Sequence, residues 1–156
     1  MLAALPPGIP LPLRQVPDSF PCPLAGEAVA AGFPSPADDY VEARIDLNIE
    51  LIPSPLSTFF MRVSGDAMRG DGILDGDLLV IDRSIDARPG MAVVATCGGV
   101  FLLRRLRRRE GALWLVASDG VSPPIALAHE ADGEAELWGV VIHAVHHLAG
   151  APSRRH

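Results

Sequence analysis

Short apolar runs separated by turn residues characterise the chain from Thr58 onward. The run Leu78–Ile81 follows an Asp-Gly-Asp turn at 75–77 and is typical of a buried strand. Two further runs flank Gly98-Gly99, a pair suited to the positive φ angles of a tight hairpin turn. The predicted strands are Phe60–Val63, Leu78–Ile81, Met91–Thr96, Val100–Leu106, Ala112–Ala117 and Leu137–Val145. The pattern predicts a mostly β domain of short antiparallel strands.

The first third of the chain is rich in proline, since eleven of the fifteen prolines lie within residues 1–55. Proline lacks a backbone donor and fixes φ, so this region can form neither a long helix nor a central strand. We therefore expect an extended Pro-rich N-terminal arm over residues 1–34. A helix-turn-helix domain needs several amphipathic helices, and none fits in this arm.

One short helix is predicted directly after the arm. Residues 35–38, Ser-Pro-Ala-Asp, combine an N-cap serine, a proline at the first helical position and an acidic residue in the first turn. Tyr40, Val41, Arg44 and Ile45 follow at helical spacing, and the helix is expected to end near Asn48. The predicted organisation is an arm at 1–34, a helix and linker at 35–50, a β domain at 51–148 and a flexible tail at 149–156.

Composition places the chain among soluble proteins with one domain. Its 156 residues are 49% hydrophobic, and the formal net charge of −6 argues against a protein that coats nucleic acid. No stretch approaches the roughly 20 apolar residues that span a bilayer, and residues 1–12 lack the basic leader of a secretory signal. We expect a cytoplasmic protein in which Cys22 and Cys97 are reduced thiols, with a disulfide as the alternative.

Two groups of side chains are candidates for a functional site. His129, His143, His146 and His147 lack the spacing and carboxylate partners of a metal site, and we expect them to face solvent or lie in the terminal region. Arg104–Arg109 holds five arginines in six positions. The simplest interpretation is a strand end that leads into an exposed turn. Contact with nucleic acid or with an acidic protein surface is the alternative.

Residues 64–68, Ser-Gly-Asp-Ala-Met, are more specific. They follow Phe59-Phe60-Met61-Arg62-Val63 and precede Gly72-Ile73-Leu74-Asp75-Gly76-Asp77. This combination resembles the nucleophile segment of the LexA-like self-cleaving peptidases, in which Ser-Gly-Asp-Ser-Met precedes a glycine-rich turn and an Asp-Gly-Asp turn. Residues 31–42, 44–48 and 139–143 are similar to the UmuD-type members of that family, so the resemblance covers about residues 31–148. It implies the mostly β, LexA/UmuD-like C-terminal peptidase fold.

The family resemblance implies a serine–lysine dyad, in which a lysine of lowered pKa takes the proton of the attacking serine. Carried over by position, the nucleophile falls on Ala67 and the general base on Arg104. Ser64, Gly65, Asp66 and Met68 are the supporting motif, and the scissile bond falls on Ala31-Gly32. Alanine has no nucleophilic atom and arginine stays protonated, so autocleavage is expected to be absent. The resemblance implies neither a cofactor nor a metal.

Two origins fit these replacements. The chain is either a natural pseudo-peptidase or one altered at position 67, with Arg104 unsurprising in a sequence that has no lysine. In either case the intact Ala31-Gly32 pair allows cleavage in trans by an active relative.

By resemblance, we expect a homodimer that serves the SOS response. Its implied partners are the RecA filament on single-stranded DNA, an error-prone Y-family polymerase and, as a further candidate, the sliding clamp. We expect neither direct DNA binding nor membrane contact. The rival class is a LexA-like transcriptional regulator whose arm or arginine run contacts DNA, and an active self-processing peptidase is the third hypothesis.

Overall fold

Ten short strands form the body of the protein in a computed structural model, which describes residues 11–12, 22–25, 29, 31, 41–127 and 135–149. Each predicted strand is confirmed to within a few residues. The strands are β1 (Leu11–Pro12), β2 (Cys22–Ala25), β3 (Val41–Ile45), β4 (Thr58–Arg62), β5 (Leu78–Asp82), β6 (Ala92–Cys97), β7 (Val100–Arg109), β8 (Ala112–Val116), β9 (Ile125–Ala126) and β10 (Ala135–Val145).

Eight of these strands form one sheet in the order β1-β4-β5-β10-β6-β7-β8-β9, and neighbouring strands pair antiparallel. Strand β10 lies between β5 and β6. Its register shifts between Leu137 and Gly139 against β6, and between Val141 and His143 against β5. β2 and β3 form a separate two-stranded sheet. The predicted antiparallel, mostly β fold is confirmed.

Two tight hairpin turns flank β7 on either side. Gly98 and Gly99 have φ angles of 56° and 81°, and they join the paired residues Cys97 and Val100. Glu110 and Gly111 have φ angles of 51° and 79° and connect β7 to β8. Two successive positive φ angles match the right-handed twist of the flanking strands. The Gly98-Gly99 turn stands where the sequence predicts it.

The predicted helix is wrong over residues 41–45, which form β3 and pair with β2. Val41, Ala43 and Ile45 alternate with polar Glu42 and Arg44, a period of two that favours a strand once β2 supplies a partner. The predicted N-terminal signals at 35–38 lie outside the described residues.

Among the described residues, one α-helix is formed, α1 (Leu47–Leu51). Asp46 caps it by accepting a hydrogen bond from the Asn48 amide at 2.9 Å. Short 3-10 helices at Pro55–Ser57 and Arg69–Asp71 are the other helical segments among the described residues. None of the helices in this part of the chain has the length and apolar composition to cross a membrane.

Apolar side chains fill two clusters, and successive strand residues such as Val93 and Val94 contribute to different ones, as alternation across a strand requires. The first cluster contains Met61, Met68, Ile73, Leu79, Ile81 and Val94. The second contains Val93, Ala95, Leu106, Leu115, Ala135 and Val140. Strand β7 contributes to both, since Leu103 packs against the first cluster and Leu106 is buried in the second.

Candidate functional site

The segment that carries Ala67 is a loop between β4 and β5, which we call the 64–72 loop. It leaves β4 at Val63, whose amide donates to the Asp77 carbonyl at 2.9 Å. Gly65 has a φ angle of 96°, and its amide donates to Oδ1 of Asp75 at 2.7 Å. Met68 is only 2% exposed and belongs to the first core cluster. The backbone of Ala67 is therefore fixed by its neighbours on both sides.

Ser118, just after β8, holds the same loop from the other side. Its amide donates to the Ala67 carbonyl at 2.7 Å, and its hydroxyl accepts from the Asp71 amide at 3.0 Å. Gly70 lies so close that a Cβ there would overlap the Ser118 carbonyl oxygen. A glycine is required at position 70 for this approach.

An ion pair ties the loop to β7. Nε of Arg105 donates to Oδ2 of Asp71 at 2.9 Å, with the two side chains 25% and 22% exposed. The guanidinium of Arg105 also donates to the Gly90 carbonyl. The loop with Ala67 is thus bound to the residue that follows Arg104.

Arg104 itself is half-buried on β7, opposite Val93 of β6. Its Nη1 donates to the Leu103 carbonyl at 2.8 Å, whereas its Nε is buried and has no hydrogen-bond partner among the described residues. A buried donor without a partner costs about 1–3 kcal/mol. A guanidinium keeps its charge throughout the pH range of folded proteins, so Arg104 can donate hydrogen bonds but cannot accept a proton.

A cleft of about 210 Å³ lies beside the start of the 64–72 loop and beside β7. Its walls come from the end of β4 with Ser64, from β5 and β6, and from β7 up to Leu103. Most of the lining is apolar, and several lining side chains belong to or pack against the first core cluster. The cleft therefore begins at the start of the 64–72 loop and ends one residue before Arg104.

The structure describes most, but not all, of the other predicted site residues. Ser64, Gly65 and Asp66 are exposed on the loop. Ala31 is exposed, and Gly32 lies outside the described residues, so the predicted scissile bond is described on one side only. Ser118 and Asp71 were missed by the sequence reasoning, because contacts between distant loops leave no mark in local spacing. Arg105 was expected at an exposed strand end, and the structure instead binds it to Asp71.

The histidines include one pair that the sequence reasoning missed. Nδ1 of His146 lies 2.6 Å from Oδ1 of Asp77, a carboxylate only 1% exposed whose other oxygen accepts from the Leu74 amide at 2.9 Å. His146 is itself 40% exposed, and His129 lies outside the described residues. Within the described ranges no three His, Cys, Asp or Glu side chains are grouped to hold a metal ion. Neither Cys22 nor Cys97 is part of a disulfide among the described residues.

Two carboxylates have lowered pKa values. Burial raises the pKa of Asp82, but hydrogen bonds from Ser84 and Ser57 outweigh it and bring the pKa below the ordinary value. For Asp119, hydrogen bonds from the Ser122 hydroxyl and amide and from the Val121 amide lower the pKa to about 2. Asp119 stands next to Ser118, so its hydrogen bonds shape the turn that holds the 64–72 loop.

Comparison with known proteins identifies relatives over most of the chain. A family model described as peptidase S24-like matches residues 23–142. Protein ImpA of Escherichia coli is 40% identical over 129 residues, which cover 83% of this chain and 86% of ImpA. Protein SamA of Salmonella typhimurium is 36% identical over 133 residues, covering 85% and 91% of the two chains. LexA repressor 1 of Xanthomonas campestris is 37% identical over 126 residues, covering 80% of this chain and 62% of the repressor.

Proposed function

Because the chain belongs to the peptidase S24-like family, we propose that it is a UmuD-like accessory subunit of an error-prone translesion polymerase that does not cleave itself. The observation that carries this proposal is Ala67. A methyl group occupies the proposed nucleophile position, on a loop whose backbone is held by Asp75, Ser118 and buried Met68. The loop is therefore ordered around a position that has no reactive atom.

The proposed loss of autocleavage follows from the side chains at both catalytic positions. Autocleavage in this family needs an oxygen that attacks a main-chain carbonyl and a base that takes the proton from that oxygen. The methyl side chain of Ala67 has no lone pair with which to attack, and the guanidinium of Arg104 is already protonated. What Arg104 offers instead is a fixed positive charge, with an Nε that is buried and has no partner among the described residues, and this charge cannot start the cleavage of a peptide bond.

The proposed partners follow from the family and from charge. We propose a cytoplasmic homodimer that engages the RecA filament, a Y-family polymerase and the sliding clamp, without binding DNA directly. The net charge of −6 supports a subunit that binds proteins. The near-complete coverage of ImpA and SamA supports the UmuD-like role over the repressor role. A repressor would shift duplex DNA in a mobility assay at physiological salt, whereas the proposed subunit would not.

Restoring the dyad tests the proposal directly. The chain as it stands, Ala67→Ser alone, and Ala67→Ser with Arg104→Lys are incubated at alkaline pH and with RecA–ATP–single-stranded DNA filaments. We expect only the double variant to release a fragment ending at Ala31, as measured by mass spectrometry. The matched control adds Ser64→Ala to the double variant and should still cleave.

Two outcomes would contradict parts of the proposal. Cleavage by the unaltered chain would show that another residue supplies the nucleophile and that the protein is an active peptidase. Cleavage by the Ala67→Ser variant alone would show that Arg104 does not prevent catalysis, and the argument about the general base would be wrong.

A further inference from the structure

The outer end of β7 presents three consecutive arginines to solvent. Arg107, Arg108 and Arg109 are exposed. Within the part of the chain that the structure describes, no hydrogen bond or ion pair is formed by any of their side chains. Arg105, two residues earlier on the same strand, is bound to Asp71 and to the Gly90 carbonyl. The exposed arginines are therefore available to a partner.

Strand geometry divides these arginines between two faces. Arg107 and Arg109 point to one face, about 7 Å apart along the strand, and Arg108 points to the other. The register places Trp114 directly opposite Arg107, so the two side chains share a face with Cβ atoms about 5 Å apart. Trp114 is half-buried. The outer end of one face of the β7–β8 hairpin thus combines two exposed cations, Arg107 and Arg109, with one aromatic side chain.

The local charge is opposite to that of the whole protein. The chain carries a net charge of −6, yet five of its thirteen cationic side chains other than histidine lie within residues 104–109. The residues paired with Arg107, Arg108 and Arg109 across β8 are Trp114, Leu113 and Ala112, none of them acidic. Neighbouring like charges repel each other, and an anionic partner would remove that repulsion.

We propose that Arg107, Arg109 and Trp114 form a docking surface for a carboxylate-rich segment of a partner protein. A guanidinium binds a carboxylate through two parallel hydrogen bonds, and the adjacent Trp114 offers apolar contact to a side chain between the acidic residues. This surface goes beyond the proposed polymerase role and does not depend on the loss of cleavage.

The observations favour a protein segment over single-stranded nucleic acid. Proteins that bind single strands stack successive bases on several aromatic rings along a basic groove. This face has a single tryptophan, which is half-buried. A long polyanion would also experience the repulsion of the acidic protein as a whole, whereas a short acidic peptide contacts the basic face alone.

The test measures binding of a short fluorescein-labelled peptide of alternating Glu and Leu to the full chain by fluorescence anisotropy. A peptide with Gln in place of Glu and a labelled oligothymidylate are measured in parallel at about 0.15 M salt. We expect Arg107→Gln with Arg109→Gln to weaken binding of the Glu peptide about tenfold. Arg108→Gln with Arg88→Gln is the matched control, because both residues are exposed and the change in charge is the same.

Each outcome decides the proposal. Selective binding of the Glu peptide, lost in the Arg107/Arg109 variant and kept in the control, supports it. If the control variant weakened binding of the Glu peptide equally, net charge alone would explain the effect and the proposal would be overturned. Tighter binding of the oligothymidylate would reassign the face to nucleic acid, and binding of neither probe would also overturn it. Melting temperatures of both variants should equal that of the unaltered chain, which excludes unfolding as the cause.

Discussion

Both halves of strand β7 carry arginine, but the arginines lie in opposite environments. In the inner half, Leu103 and Leu106 pack into the two core clusters, and Arg105 binds the loop that carries Ala67. In the outer half, Arg107–Arg109 are exposed and form no internal bonds among the described residues. Arginine is thus a structural clamp at one position and a free surface cation two residues later. Its role is set by whether another segment folds over it.

Truncating Leu106, a buried side chain of the inner half, should have the largest effect on the free energy of unfolding. Leu106 is 0% exposed in the second core cluster. Leu106→Ala leaves a cavity there and should lower the free energy of unfolding by about 2–5 kcal/mol in urea denaturation. The control, Arg108→Ala in the outer half, should change it by no more than about 0.5 kcal/mol. A comparable loss in both variants would erase the distinction between the two halves.

Removing the contacts of Arg105 should have an intermediate effect on the free energy of unfolding. Arg105→Ala loses the ion pair with Asp71 and the bond to the Gly90 carbonyl, and should cost about 1–2 kcal/mol of unfolding free energy. A double-mutant cycle with Asp71→Ala should give a coupling energy of about 0.5–1 kcal/mol. The same cycle between Arg107 and Asp71 should give none. Equal coupling in the two cycles would mean that long-range charge, and not the contact, links β7 to the loop.

The smallest expected effect is a pH dependence at the turn that holds the 64–72 loop, to which the inner half is bound. The folded pKa of Asp119, about 2, lies below its ordinary value of 3.8. Its contribution to stability is therefore present above about pH 4 and is lost as the pH falls through about 2. Asp119→Asn should remove this dependence, read as hydrogen exchange of the Ser118 and Ser122 amides. An unchanged acid profile in that variant would assign the effect to other carboxylates such as Asp82.

The strands and the hairpin turn at Gly98-Gly99 were predictable, because period-two patterning and paired turn residues are local properties. The helix at 35–48 was wrong over β3, where the choice between two periods depends on a partner strand that lies distant in sequence. The positions of Ala67 and Arg104 came from motif similarity. Their surroundings came from the structure, since the contacts of Ser118 with Ala67 and of Arg105 with Asp71 each join distant segments.

The position of β10 in the sheet has a consequence for the order of folding. β10 follows every other strand in sequence, yet it joins β5 to β6. Until it pairs, β1-β4-β5 and β6-β7-β8-β9 are separate units without a shared strand. During synthesis each unit can form pairings between consecutive strands, β4 with β5 and β6 with β7, whereas the pairings of β10 with β5 and β6 are long-range. The nascent chain therefore completes its sheet only after β10 has left the ribosome.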